Sequence, residues 1–190
     1  MTPRADEPHI GLVVEGRGEQ QALPLLLRRH RADSGDYRDI LSAPVVCHGR
    51  DKALMRNGVE GFVATAAARP GCRGVLVVLD AEGDAACQLG PELQRRAQLV
   101  TATPVAVCLA EPMYEGWLVA SAETLQLEGL TFAQVRNPEA AIRNALGVNY
   151  IKPTWQPRLT ARIDFNLAIP RSPSLRRTLE RLDSLMEALP

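Results

Sequence analysis

Between Gly74 and Leu79 the chain reads Gly-Val-Leu-Val-Val-Leu, an apolar run without alternation that closes on Asp80. A strand with one wet face alternates polar and apolar residues, whereas a strand covered by helices on both faces does not. This run therefore predicts the centre of a parallel sheet with a helical layer on each side. The segments around it agree. Ile10–Val14 predicts a strand followed by a turn at Gly16 and Gly18, and Glu19–Arg31 a helix with Ala22, Leu23, Leu26 and Leu27 on one face. Ile40–Val46 predicts a second strand, and Ala53–Arg69 a second helix stopped by Pro70 and Gly71. After the central strand, Pro91–Val100 predicts a helix with Pro91 in its first turn, Val105–Leu109 a fourth strand, and Met113–Ala120 a helix entered through Pro112. From Leu125 onward the pattern weakens: Pro138–Leu146 predicts a helix, Val148–Arg171 is rich in proline and reads as irregular, and Ser174–Leu189 predicts an amphipathic helix.

Alternating strands and helices with short connections imply a three-layer α/β domain, Rossmann-like, with a mostly parallel central sheet of about four strands. The whole chain, 1–190, is expected to be one domain with a core at about 9–125 and an irregular, then helical, C-terminal extension at about 126–190. Apolar residues at 46% and charged residues at 23% exclude disordered, collagen-like and membrane classes. No run approaches the roughly 20 apolar residues of a spanning helix, and polar Met1–Pro8 lacks a secretory pattern, so a cytoplasmic protein is expected. Cys47, Cys72, Cys87 and Cys108 form no C-x-x-C pair and read as small thiols in a reducing compartment. The formal net charge is zero. Lys152, Arg158, Arg162, Arg171, Arg176, Arg177 and Arg181 nevertheless outnumber Asp164, Glu180, Asp183 and Glu187 in the last segment, a bias that suits a polyanion.

The chemistry is concentrated where strands end. Ligand sites of open parallel sheets lie beyond the carboxyl ends of the strands. Glu15 follows the first strand and Glu19 opens the first helix; Asp80, Glu82 and Asp84 follow the third strand; Glu111 and Glu115 follow the fourth. All seven are expected on one edge. Packed carboxylates raise one another's pKa and destabilise the fold, a cost that a hard divalent cation removes. Oxygen donors without histidine or thiolate point to Mg2+ or Mn2+, and a pair of such ions about 4 Å apart suits phosphodiester cleavage. Singly, each acid has a plainer reading: Glu19 and Glu115 fall in first turns, where an acid complements the helix dipole, and Asp80–Asp84 has the makings of a polar turn around Gly83. Their joint placement carries the argument.

Other motifs fit less well. Gly16-x-Gly18 after a strand suggests a dinucleotide fingerprint, yet Gln21 stands where the third glycine belongs and no ribose-binding acid follows the second strand. No phosphate-binding G-x-x-x-x-G-K-[ST] loop or G-x-S-x-G elbow is present. His9, His30 and His48 are isolated. Trp117 reads as core; Trp155, beside Lys152 and Arg158, reads as core or as a stacking surface.

Three segments, Val14-Glu15-Gly16-Arg17-Gly18-Glu19, Val78-Leu79-Asp80-Ala81-Glu82-Gly83-Asp84 and Glu111-Pro112-Met113-Tyr114-Glu115-Gly116-Trp117-Leu118, resemble in this order the motifs of the TOPRIM-like domain. The chain is similar to the small bacterial proteins of the domain-of-unknown-function family numbered 4276 and to the TOPRIM half of OLD-family nucleases, over about Ile10–Lys152. The resemblance implies that Glu15 and Glu19 ligate metal or position water and that Asp80 is the central ligand. It also implies Glu82 in the second acidic place, where the family pattern has Asp-x-Asp, and Glu115 as a further ligand beside the weaker Glu111. Lys152, in Tyr150-Ile151-Lys152-Pro153, resembles a late Lys-Pro element that would stabilise charge on a phosphate.

The expected function is Mg2+- or Mn2+-dependent hydrolysis of nucleic-acid phosphodiesters, DNA or RNA, within a bacterial defence or mobile-element system. In it Glu15, Glu19 and Lys152 are catalytic, and Asp80, Glu82, Asp84, Glu111 and Glu115 join the two glutamates around metal. Rival expectations are a non-catalytic metal- or nucleotide-binding module that partners an ATPase, and a small-molecule phosphate hydrolase. A homodimer is compatible with either, and no membrane is involved.

Overall fold

The four apolar runs all become strands: β1 His9–Val14, β2 Val45–Val46, β3 Cys72–Asp80 and β4 Val105–Ala110. They pair in the order β2-β1-β3-β4, every pairing parallel. The structure is a computed structural model, describing residues 6–132 and 135–189; most of the polar Met1–Pro8 segment lies outside them.

Successive strand residues point to opposite faces, so the central run feeds two cores at once. Leu12, Val14, Leu76, Val78, Ala106 and Cys108 enter one. Val13, Val75, Val77, Leu79, Val105 and Leu109 enter the other. Burying each large aliphatic side chain contributes about 2 kcal/mol, and only a sheet covered on both faces collects this from consecutive residues. The first core is closed by α1 (Arg17–Asp33), α5 (Tyr114–Val119), α7 (Lys152–Thr160), α8 (Phe165–Arg171) and α9 (Pro173–Met186). The second is closed by α2 (Arg50–Leu54), α3 (Gly58–Ala67) and α4 (Ala86–Gln98). A further helix, α6 (Pro138–Leu146), packs on α5, begins at Asn137, whose side chain accepts from the Ala140 N–H at 3.1 Å, and ends at left-handed Gly147. These are the expected α/β layers, and Trp117 is core as read.

Several boundaries differ from the sequence reading. The second strand shrinks to two residues because Pro44 has no N–H to give the ladder. Ile40 and Ser42 bond to Ile10, and pairing then resumes at Val45. The helix expected over Ala53–Arg69 is broken in two by left-handed Asn57 and by Gly58, where a Cβ would lie 2.2 Å from the Lys52 carbonyl oxygen. The fourth helix starts at Ala86, before Pro91, which sits inside α4 at the loss of one backbone bond. The proline-rich Val148–Arg171 is largely helical. Pro153 occupies the first turn of α7, where a missing N–H costs nothing, and the burial of Gln156, Leu159 and Thr160 outweighs the bond forfeited at Pro157.

Candidate functional site

Parallel pairing sets the carboxyl ends of β1, β3 and β4 side by side, with Val14 opposite Val78 and Asp80 opposite Ala110. Glu15 is the next residue after β1, and its Oε2 accepts a hydrogen bond from the Asp80 N–H at 3.1 Å. Asp80, only 4% exposed, turns its own Oδ1 to the Tyr114 N–H at 2.8 Å. It thereby supplies the N-terminal acceptor that Met113, the flanking residue of α5, does not provide. Glu19 is buried in the first turn of α1. Its Oε2 accepts from the Gly16 N–H at 3.0 Å, the reciprocal half of a capping box. Glu115, in the first turn of α5, is fully buried.

α7 supplies the opposite wall. Lys152 and Gln156 lie one turn apart and point the same way. The Lys152 ammonium stands 3.6 Å from Glu115 Oε1, 4.0 Å from Asp80 Oδ2 and 3.5 Å from Glu139 Oε2. Gln156, fully buried, donates from Nε2 to Glu19 Oε1 at 2.8 Å and to Glu115 Oε1 at 2.9 Å, clamping two carboxylates together. Tyr150 donates its hydroxyl to the same Glu115 oxygen at 2.8 Å. Gln156 seats directly on Gly18: a Cβ there would lie 1.8 Å from Gln156 Oε1. The glycine is required by this contact between α1 and α7.

The electrostatics follow from burial and crowding. Burial, reinforced by the charges of Glu15 and Glu19, pushes the Asp80 carboxyl up to about 8 against the pull of Lys152, so Asp80 holds a proton at neutral pH. Glu15 is raised for the same first reason; its bond from Asp80 only partly offsets that burial, and the neighbouring Glu19 and Glu82 add to the rise. Burial alone would lower the Lys152 ammonium; Glu115, Asp80, Glu19 and Glu139 override it and push it up. Burial also raises the Tyr150 phenol, as does the Glu115 charge, so the hydroxyl remains a donor.

Of the acids expected on this edge, Glu15, Glu19, Asp80 and Glu115 come together, and Lys152 joins them. Glu82 is exposed in a left-handed turn after β3; its N–H bonds to the Pro112 carbonyl and its charge reaches Glu15. Asp84 is turned to Arg50, which also donates to the Asp80 and Ala81 carbonyls and so pins the turn. Glu111 is exposed, gives its N–H to Ser174 Oγ at 3.2 Å, and lines cavities beside α9 that share no residue with the cluster. The basic C-terminal stretch is not a continuous cationic strip. Arg158 stacks on Trp155, Arg162 caps the Leu125 carbonyl, Arg171 pairs with Glu123, and Arg176 faces Glu180. Gln156, Tyr150 and Glu139 were missed by sequence reading because the segment that carries the first two read as irregular.

The atoms that face the Lys152 ammonium are carboxylate oxygens, and Glu115 Oε2 is buried with no partner among the described residues. That orphan is an oxygen a hard cation would use, and the cation would have to displace the Asp80 proton on binding. Among the described residues no group of three or more His, Cys, Asp or Glu side chains stands ready as a metal cage; the ammonium of Lys152 sits among the carboxylates instead. No helix among the described residues is long and apolar enough to cross a membrane. No family model, curated protein or solved structure matches the chain.

Proposed function

We propose that this chain is a TOPRIM-type, Mg2+- or Mn2+-dependent hydrolase of nucleic-acid phosphodiester bonds. The observation that carries this reading is the convergence of Glu15, Asp80 and Glu115, from the ends of three strands, on one lysine, with Glu115 Oε2 unsatisfied. Asp80 and Glu115 would hold the ion with Glu15 and Glu19, and the ion, when bound, would polarise a phosphoryl oxygen and lower the pKa of a bound water.

The chain's own residues have separable tasks. Gln156 and Tyr150 fix the Glu115 carboxylate through Oε1 and leave Oε2 buried without a partner among the described residues. Glu15, half-buried with its affinity for protons raised, is placed to accept one from water. Lys152 neutralises the acids at rest and presents a charge of the sign that a phosphate needs. With Glu82 exposed and Asp84 held by Arg50, the buried acids favour one tightly held ion over two. Cleavage of single- and double-stranded DNA and RNA in Mg2+ or Mn2+, beside Asp80→Asn and Glu15→Gln, tests the assignment; equal activity in all three proteins removes it.

A second reading is favoured by Lys152, which already balances the cluster without metal: a non-catalytic module that binds metal or nucleotide and docks on a partner such as an ATPase. Robust cleavage by the isolated chain counts against it. Turnover of free nucleotides with no cut polymer would instead mark a small-molecule phosphate hydrolase.

A further inference from the structure

β4 is an edge strand of the sheet, and its outer side is only half protected. Its pairing with β3 turns the backbone groups of Ala106, Cys108 and Ala110 inward, which leaves those of Val105, Val107 and Leu109 facing out. Two glutamines of α4 satisfy the first part of this row. Gln98 accepts from the Val105 N–H at 3.1 Å, while Gln94 donates to the Val105 carbonyl and accepts from the Val107 N–H, both at 2.8 Å. The side chains imitate a neighbouring strand. Beyond them, the outward Val107 carbonyl and both outward groups of Leu109, a residue 5% exposed, have no backbone partner among the described residues, and both residues line a groove of about 440 Å³ between α4 and α9.

The two walls differ in kind. On the α4 side lie Pro91 and the Val107 and Leu109 side chains; on the α9 side lie exposed Arg177 and Arg181, with no ion pair to another described residue. Exposed Glu111, just past the end of β4, also lines the groove, so the two arginines leave its charged lining net positive by one. An extended segment alternates its side chains between two faces, so the groove is complementary to one that is apolar toward α4 and acidic toward α9. The geometry points to this groove as a strand-addition site for an extended, acidic segment of a partner protein, added beside β4. A second copy of the chain is a poor occupant: edge-to-edge pairing about a two-fold axis would oppose Arg177 and Arg181 to their own counterparts. Nucleic acid would use the arginines but neither the free backbone groups nor the apolar wall. The inference is independent of the carboxylate cluster.

The test is fluorescence polarisation of the full chain with a short labelled peptide of alternating valine and glutamate. Controls are the same peptide with lysine for glutamate, the same peptide N-methylated at alternate amides, and a labelled oligonucleotide. Saturable binding of the acidic peptide is expected, weakened about tenfold or more by R177E/R181E and by backbone methylation, and by added salt. Equal binding of the lysine peptide, indifference to methylation, no binding, or competition by the oligonucleotide at Arg177 and Arg181 would each overturn the proposal. So would a dimer in sedimentation that R177E/R181E strengthens without peptide. Urea unfolding of the double variant confirms that its fold is intact, since both positions are exposed.

Discussion

At the residue scale, the contact between Gly18 and Gln156 is the sharpest constraint in the site. Gly18→Ala places a methyl group inside the van der Waals shell of the Gln156 amide, and is expected to cost about 2–3 kcal/mol in urea unfolding, as overpacking does. Gln156→Ala removes the obstruction but leaves Glu19 and Glu115 without their shared donor. The double variant should therefore be less destabilised than the sum of the singles; strict additivity would mean that the two side chains do not meet. Asp80 makes a second prediction. Its carboxyl rises from 3.8 unfolded to about 8 folded, so its contribution is complete below pH 4 and is lost as pH climbs through 8. In chelator, the melting temperature should fall between those limits, and Asp80→Asn, which keeps the acceptor for Tyr114, should flatten that slope. A wild-type profile that rises over the same window would contradict the assignment.

At the scale of elements, α7 decides the state of the cluster because two of its inward polar side chains, Lys152 and Gln156, serve it. Lys152→Met keeps much of the aliphatic stem and removes the charge, leaving Glu115, Glu139 and Asp80 to repel one another. A lower melting temperature is expected at pH 8, recovered in part by millimolar Mg2+; no metal response in this variant would argue against a cation site. α7 also marks the limit of what the chain's order discloses. The strands and the acids at their ends were legible because apolar runs and strand ends are local features. Glu15, Asp80 and Glu115 meet as expected from that alone. Asp84 and Glu111 shared the same cue and went elsewhere, one to Arg50 and the other toward α9, since a position near a strand end does not fix which way its side chain turns. Gln156 was illegible: prolines at 153 and 157 hid a helix that exists because α1 offers it a surface, a long-range condition no local pattern carries.

Over the whole molecule, the layers impose an asymmetry. One sheet end gathers buried carboxylates that crowd one another, while the two cores behind it supply the stability that tolerates them. On the proposed reading, metal-linked stabilisation is the global signature: a ligand binding only the folded state raises the melting temperature in proportion to the logarithm of its concentration. Mg2+ or Mn2+ is expected to raise it in wild type, with the increment growing from pH 6 to pH 8 as the Asp80 proton becomes easier to displace. Glu115→Gln should blunt the increment; an equal response in that variant would assign the effect to nonspecific ions. The bond from Gln156 to Glu19 joins positions 137 residues apart. Until α7 has been made and laid against α1, Glu19 and Glu115 lack the amide that ties them together, so the two carboxylates are joined only after that late helix is in place.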